Sequence, residues 1–356
     1  MAELHEYECP LCGGALEFDI GLQQLKCLYC DSIFSVDEAR LAANVNKMDA
    51  QANMNNWSQE EQDNLVTYSC NSCGGEIITD ISTGATKCPY CNNPVVMTGK
   101  FAGSLRPDYI IPFKMDKKSA IEALKNHYKK RPFLPNVFKD QNKLQEIKGM
   151  YVPFWLFSGK INADVVFKAE KNRHWSDYNY NYTEISVYNE AVNGSMIYKQ
   201  IPVDASVKMP DDLMDSLEPF DMKSVEKFNT AYMAGYLANK FDVDTDKCFE
   251  RANMRMRYST INSIAGTLNG YNRVSAIKSD VQFSDIKAEY ALFPVWMLVT
   301  KWQNKLFAFF MNGQTGKFLG ELPIDHGKKW MTFLLIFLVT IPIIAAIFIL
   351  IYFFGG

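Results

Sequence analysis

The same cysteine pattern is written twice in the first hundred residues. Cys9-Pro-Leu-Cys12-Gly-Gly is followed by Cys27-Leu-Tyr-Cys30, and Cys70-Asn-Ser-Cys73-Gly-Gly by Cys88-Pro-Tyr-Cys91. Both copies are C-x2-C-x14-C-x2-C, close to the lower edge of the spacing of structural Zn(Cys)4 sites. A C-x2-C turn aims two thiolates at one ion, and the chain just beyond it must bend through positive φ. Gly13 and Gly74 supply that freedom in the first knuckles. Asp31 and Asn92 stand at the equivalent places in the second knuckles, and both residue types tolerate the left-handed region. Ala15–Asp19 and Glu76–Asp80 read as one strand of a small hairpin between the knuckles. Disulfides and redox pairs are the competing readings. A cytoplasmic setting disfavours the first, and neither pair lies in a βαβ pattern as the second requires. The expectation is two zinc ribbons holding two structural Zn²⁺ ions, with Cys9, Cys12, Cys27 and Cys30 on one and Cys70, Cys73, Cys88 and Cys91 on the other. Four thiolates close the coordination shell, so neither ion has a position for a reacting water. The ninth cysteine, Cys248, falls on an expected helix and reads as a buried thiol.

At the other end, Met331 to Phe354 runs for 24 residues without a charge. As a helix it would span about 36 Å, against roughly 30 Å of bilayer hydrocarbon. Pro342 is tolerable inside a membrane helix. The expectation is a single transmembrane helix over 330–354 in a tail-anchored protein. The N-terminus, MAELHEYECP, has no apolar signal core. Lys328 and Lys329 precede the span, with Trp330 as an interfacial anchor, so the positive-inside rule puts the N-terminal bulk in the cytoplasm at the cell membrane.

Between these ends the chain reads as an α+β protein with an antiparallel sheet. Ribbon one covers 1–40, a polar linker 41–65, ribbon two 66–99 and a larger domain 100–326. In the linker, Ser58-x-x-Glu61 forms a capping box for a short helix. In the domain, Ser119-x-x-Glu122 caps a helix to Arg131, with Ile121, Leu124 and Tyr128 on its apolar stripe. Strands are expected at Tyr151–Phe157, Lys160–Lys168, Thr183–Val192 and Ser195–Val203, the last two joined by a type I′ turn at Asn193-Gly194. Helices are expected at Asp211–Leu217, Thr230–Lys240 and Asp246–Arg257, then strands at Tyr290–Lys301, Lys305–Met311 and Lys317–Leu322. An internal echo places a proline two residues before a tryptophan twice, at Pro153/Trp155 and Pro294/Trp296. It reads as a duplicated sheet element or as two similar edge strands. The aromatic stretch His174–Tyr182 is either a binding surface or a plain exposed turn.

Catalytic patterns are missing. The four histidines (5, 127, 174 and 326) are scattered, and no nucleophile elbow or dinucleotide fingerprint is present. Gly313 to Lys317 lacks the spacing of a phosphate loop, and Asp242, Asp244 and Asp246 lack the Gly and Glu of a calcium loop. The chain is therefore read as no enzyme. Charge separates the remaining classes. Residues 1–100 hold 5 Lys/Arg against 14 Asp/Glu, while 101–356 hold 32 against 26. A ribbon that grips nucleic acid needs a basic face, and these are acidic.

The tandem ribbons, Tyr151-Val-Pro-Phe-Trp-Leu156, Ile201-Pro-Val-Asp-Ala205, Asp211–Phe220, Tyr232–Ala238 and the C-terminal span together resemble one group of bacterial proteins. These are membrane proteins with tandem transcription-factor-IIB-type zinc ribbons, often mislabelled as the primosomal helicase N′. The resemblance covers nearly the whole chain. It implies a membrane complex with stomatin/prohibitin/flotillin-like (SPFH) or phage-shock-type proteins in envelope stress, and no catalytic residues. The functional expectation is a membrane-anchored cytoplasmic adaptor whose partners are such proteins and the lipid bilayer, self-association being open. The alternative is a membrane-tethered nucleic-acid-binding protein of replication or transcription.

Overall fold

The structure is a computed structural model that describes residues 9, 16–19, 24–27, 32–34, 51–52, 56–83, 85, 87–100 and 105–354. Three short strands, β1 (Leu16–Asp19), β2 (Gln24–Cys27) and β3 (Ile33–Phe34), make a separate antiparallel sheet. Next come β4 (Gln51–Ala52), helix α1 (Gln59–Asp63), β5 (Leu65–Ser69), β6 (Glu76–Asp80), β7 (Val96–Lys100) and β8 (Tyr109–Ile110). A helical group follows, α2 (Lys117–Lys129), α3 (Asn136–Lys139) and α4 (Gln141–Gln145). Two long strands, β9 (Lys148–Ser176) and β10 (Asn181–Asp204), lead to α5 (Asp211–Leu217), β11 (Glu226–Lys227) and β12 (Leu237–Asn239). The chain ends with α6 (Thr245–Ala265), β13 (Arg273–Trp302), β14 (Lys305–Asn312), β15 (Phe318–Leu319) and α7 (His326–Phe354). The large sheet runs β11-β8-β13-β9-β12-β6-β5-β7, with β10 beside β9 and β14 beside β13. The fold is mixed α+β, and most of its strand pairs are antiparallel.

The sheet is organised around β9 and β13, 29 and 30 residues long, paired antiparallel from Lys148↔Met297 to Glu170↔Arg273. At about 3.3 Å per residue such strands approach 100 Å if straight. Between residues 149 and 157 every β9 side chain is buried, because this part of the sheet is covered on both faces. Tyr151, Trp155 and Phe157 enter one core, and Met150, Val152, Phe154 and Leu156 the other. Farther along, only one face is covered. Ile161, Ala163, Val165 and Phe167 lie under α6 while Lys160, Asn162 and Asp164 face solvent, which is the period-2 pattern of a half-buried sheet. α6 contributes Phe249, Ala252, Met256, Ile261 and Ile264 to that core.

Several sequence expectations need correction. Tyr151–Phe157 and Lys160–Lys168 belong to one strand. Asn193-Gly194 is no turn: the two residues pair with Asp164 and Ala163 in the middle of the β9–β10 ladder. Gly194 is there for space, since a Cβ on it would lie 3.2 Å from Ile264 of α6. The chain reverses instead at 177–180, where Asp177 accepts from the Asn179 and Tyr180 amides. Thr230–Lys240 is a 3₁₀ turn (Thr230–Met233) followed by β12, because Gly235 at φ 82° breaks the helix. α2 is capped by Asp116, which accepts from the Ser119 amide at 2.8 Å, so Ser119 lies inside the helix. α6 runs well past Arg257 to Ala265. The capping box at Ser58/Glu61 is present as expected.

The echoed segments pair with each other, Pro153 opposite Leu292 and Pro294 opposite Tyr151, so neither is an edge strand. Proline is normally excluded from central strands. Both prolines sit where the outer neighbour changes. Pro153 falls between β12 (pairing 150–151) and β10 (pairing 154 onward), and Pro294 between β8 (291–292) and β14 (295 onward). Each uses only its carbonyl there, accepting from Ala205 and Gly313 respectively.

Among the described residues, α7 contributes no side chain to a core. Its window from His326 to Ile347 is long and apolar enough to cross a membrane, with none of it buried.

Candidate metal centre

β5 and β6 are adjacent antiparallel strands, Leu65 opposite Asp80 and Ser69 opposite Glu76. The first knuckle is the turn that joins them. The Cys70 amide donates to Gly75 O (3.0 Å) and the Gly74 amide to Cys70 O (2.8 Å), with Gly74 at φ 67°. The second knuckle repeats this: Cys88 N to Asn93 O (2.7 Å), Asn92 N to Cys88 O (3.0 Å), and Asn92 at φ 60°. The positive φ expected after each thiol pair is thus found in both knuckles of the second motif.

The four sulfurs of Cys70, Cys73, Cys88 and Cys91 lie within 4.8 Å of one another, with Cys70–Cys91 at 3.5 Å and Cys73–Cys88 at 3.6 Å. Zn–S bonds of about 2.3 Å in a tetrahedron would put sulfurs about 3.8 Å apart, so the donor set fits one tetrahedral ion. The group could hold one metal ion. Burial pushes the Cys73 and Cys88 thiols up, while the Gly75 amide at Cys73 and the Cys91 and Tyr90 amides at Cys88 act to bring them down. At Cys70 the Cys73 and Ser72 amides outweigh burial and lower the thiol to about 7. Four converging thiols with amides turned toward them are a cation site of soft-ligand chemistry.

The sheet domain reaches this centre with two lysines that the sequence did not single out. Lys208 Nζ donates to Cys73 O at 2.5 Å, and Lys148 Nζ donates to Lys87 O. Lys87 itself pairs with Glu146 at 3.6 Å. Both contacts join residues more than 60 positions apart, so no local pattern signals them. β6 pairs with β12 (Ile78↔Ala238), and Ile77 and Ile78 enter the two main cores. The second hairpin is therefore continuous with the large sheet. Tyr90 turns inward against Gly75 and the core.

Of the first motif, Cys9 and Cys27 are fully buried in one cluster with Leu25 and Phe34. Cys27 N donates to Ser32 O at 2.8 Å, the same bond as Cys88 N to Asn93 O. Cys12, Cys30, Gly13 and Asp31 lie outside the described residues, as do Leu11, Leu28 and Tyr29. Phe34 packs edge-on to Tyr258 of α6 with ring centroids 4.8 Å apart. Cys248 is buried on α6, its sulfur 3.3 Å from Asp204 O, and burial pushes its thiol up to about 12. That is the environment of an inert core cysteine.

The chain is 32% identical over 327 residues to a Bacillus subtilis (strain 168) protein described as "Uncharacterized protein YdjG", covering 90% of this chain and 91% of that one. No protein-family model matches the chain, and no solved structure matches it.

Proposed function

This chain belongs to the family of Bacillus subtilis YdjG, and from that premise we propose that it is a membrane-anchored zinc-ribbon adaptor that docks protein partners at a bacterial membrane. The observation that carries the reading is a closed four-thiol site built onto the sheet of a domain whose last helix is left wholly outside the core. Four cysteines leave an ion no open position, so its work is to hold backbone in place. In this reading Cys9, Cys12, Cys27 and Cys30 bind a second Zn²⁺, the bulk of the chain faces the cytoplasm, and the molecule is not an enzyme. The acidic first hundred residues suit a basic protein surface better than a polyanion. The exposed tip of the β9–β10 hairpin, with Trp175 stacked on Tyr182 and Tyr178 fully exposed, offers a second contact. SPFH-type or phage-shock-type membrane proteins are the partners the sequence resemblance suggests.

The test is crosslinking in intact membranes followed by purification of wild type and of Cys9→Ser/Cys12→Ser. The wild type is expected to carry two zinc ions and a membrane-protein partner; the variant should lose one ion and the partner while staying in the membrane fraction. Steeply salt-dependent capture of DNA or RNA in place of a protein would overturn the reading.

A further inference from the structure

Where α7 leaves the domain, it is fastened to a segment nearly 200 residues earlier in the chain. The Asp325 amide donates to Phe133 O at 2.8 Å, and Lys328 Nζ to Leu134 O at 2.7 Å and Asn136 Oδ1 at 2.6 Å. Asp325 also caps the helix, accepting from the Lys328 amide at 3.1 Å. The loop between α2 and α3 is thus locked against the first turn of the apolar helix. Whatever surface receives α7 also faces this loop.

The loop and its flanks are basic. From Lys125 to Lys139 there are five Lys/Arg and no Asp/Glu, and Lys328 and Lys329 join them from α7. Lys129, Lys130, Arg131, Lys139 and Lys329 are exposed. The ion pairs among the described residues are made by other lysines and arginines, and Lys129 donates to the neutral Asn126 Oδ1 at 3.1 Å. Trp330, 69% exposed, begins the apolar stretch beside them, at the depth where aromatic residues prefer the headgroups.

We propose that the α2–α3 loop, together with Lys328 and Lys329, is a docking platform for the anionic phospholipid headgroups of the leaflet that α7 enters. It rests on α7 being a membrane anchor, and it adds what the anchor alone does not give. A single helix on a hinge would leave the domain free to tilt, whereas a second, charged contact fixes which face of the domain meets the bilayer. The attraction acts within about a Debye length, roughly 8–10 Å at ordinary ionic strength, a range that residues held at the helix entry satisfy. The tip of the β9–β10 hairpin lies at the other end of the long strands.

The full chain is reconstituted into nanodiscs of neutral phosphatidylcholine, or with about one third phosphatidylglycerol, and lysine acylation by a charged ester is read by mass spectrometry. Labelling of Lys129, Lys130 and Lys139, relative to exposed Lys171 on the hairpin, should fall about threefold or more in anionic discs. About 0.5 M salt should restore it. The K129E/K130E/R131E variant should remain in the discs but lose the lipid dependence, judged at Lys139. Equal labelling in both discs, or protection that survives both salt and charge reversal, overturns the platform while leaving the anchor intact. A chain that associates with neither disc overturns the anchor and the platform together.

Discussion

At the scale of single residues, the chemistry concentrates in buried groups. Without a cation the Cys73 and Cys88 thiolates are penalised by burial, so ion binding must expel protons and weaken as pH falls. Cys88→Ser is expected to lower bound zinc by one ion per chain, and metal analysis of purified protein checks this; unchanged zinc would mean that the four thiols are not a site. A different group sets a pH dependence of stability. Asp215 is buried, which raises its carboxyl to about 6 even though Arg251 (2.8 Å) and Arg255 act to lower it. Asp204, 1% exposed, is pushed well above the ordinary carboxyl range by burial and then by Asp211. Both groups bind protons more tightly folded than unfolded. Stability from them is therefore present at low pH and falls as pH rises from about 4 through 6 and beyond. Asp204→Asn should raise the melting temperature at pH 8 and change it much less at pH 5. Arg251→Ala leaves Asp215 buried without its closest cation, a loss of about 3–5 kcal/mol in chemical denaturation.

Among the elements, the long strands carry the argument. Asn193-Gly194 is a strong local turn signal, yet the register on both sides runs straight through it. What decides is the apolar face that β9 and β10 present around this point, which packs under α6. A turn at Asn193 would remove Val192, Tyr198 and Ile201 from that core. A cysteine pair tests the register directly. In the β9–β10 ladder Ser195 lies opposite Asn162, while a two-residue hairpin would place it opposite Val192. Oxidation should join Cys residues at 162 and 195 and fail for 192 and 195, read from the disulfide-linked peptides. The prolines teach the same lesson. Pro153 and Pro294 argue against central strands by composition, and they are tolerated because the sheet happens to change neighbours at both points.

For the whole molecule, the four-cysteine group of the second motif and the sheet share structure. Ile77, Ile78 and Leu65 are buried in the main cores, so the β5–β6 hairpin does not rest on metal alone. Chelation is expected to raise amide exchange sharply at 70–75 and 88–93 while β6 and β12 stay protected, because their ladder is anchored by apolar burial. Loss of protection throughout the sheet would instead make the ion part of the global fold. Removing residues 330–356 should release a soluble domain, since α7 from His326 to Ile347 has nothing buried.

What the amino-acid sequence determined by itself is everything written in neighbouring residues. Thiols two apart fix a knuckle, a Gly or Asn after them permits its φ, a Ser and Glu three apart cap a helix, and an uncharged run of sufficient length makes an apolar helix. What only the tertiary structure decided is whatever depends on a partner far along the chain. That includes the Gly194 gap left for Ile264, the two prolines between alternating neighbours, the lysines reaching the knuckles, and the basic loop tied to the root of α7. The reason is physical: short-range geometry is set by sterics and hydrogen bonds within a few residues, while burial is a property of surfaces that meet only when the whole sheet has closed.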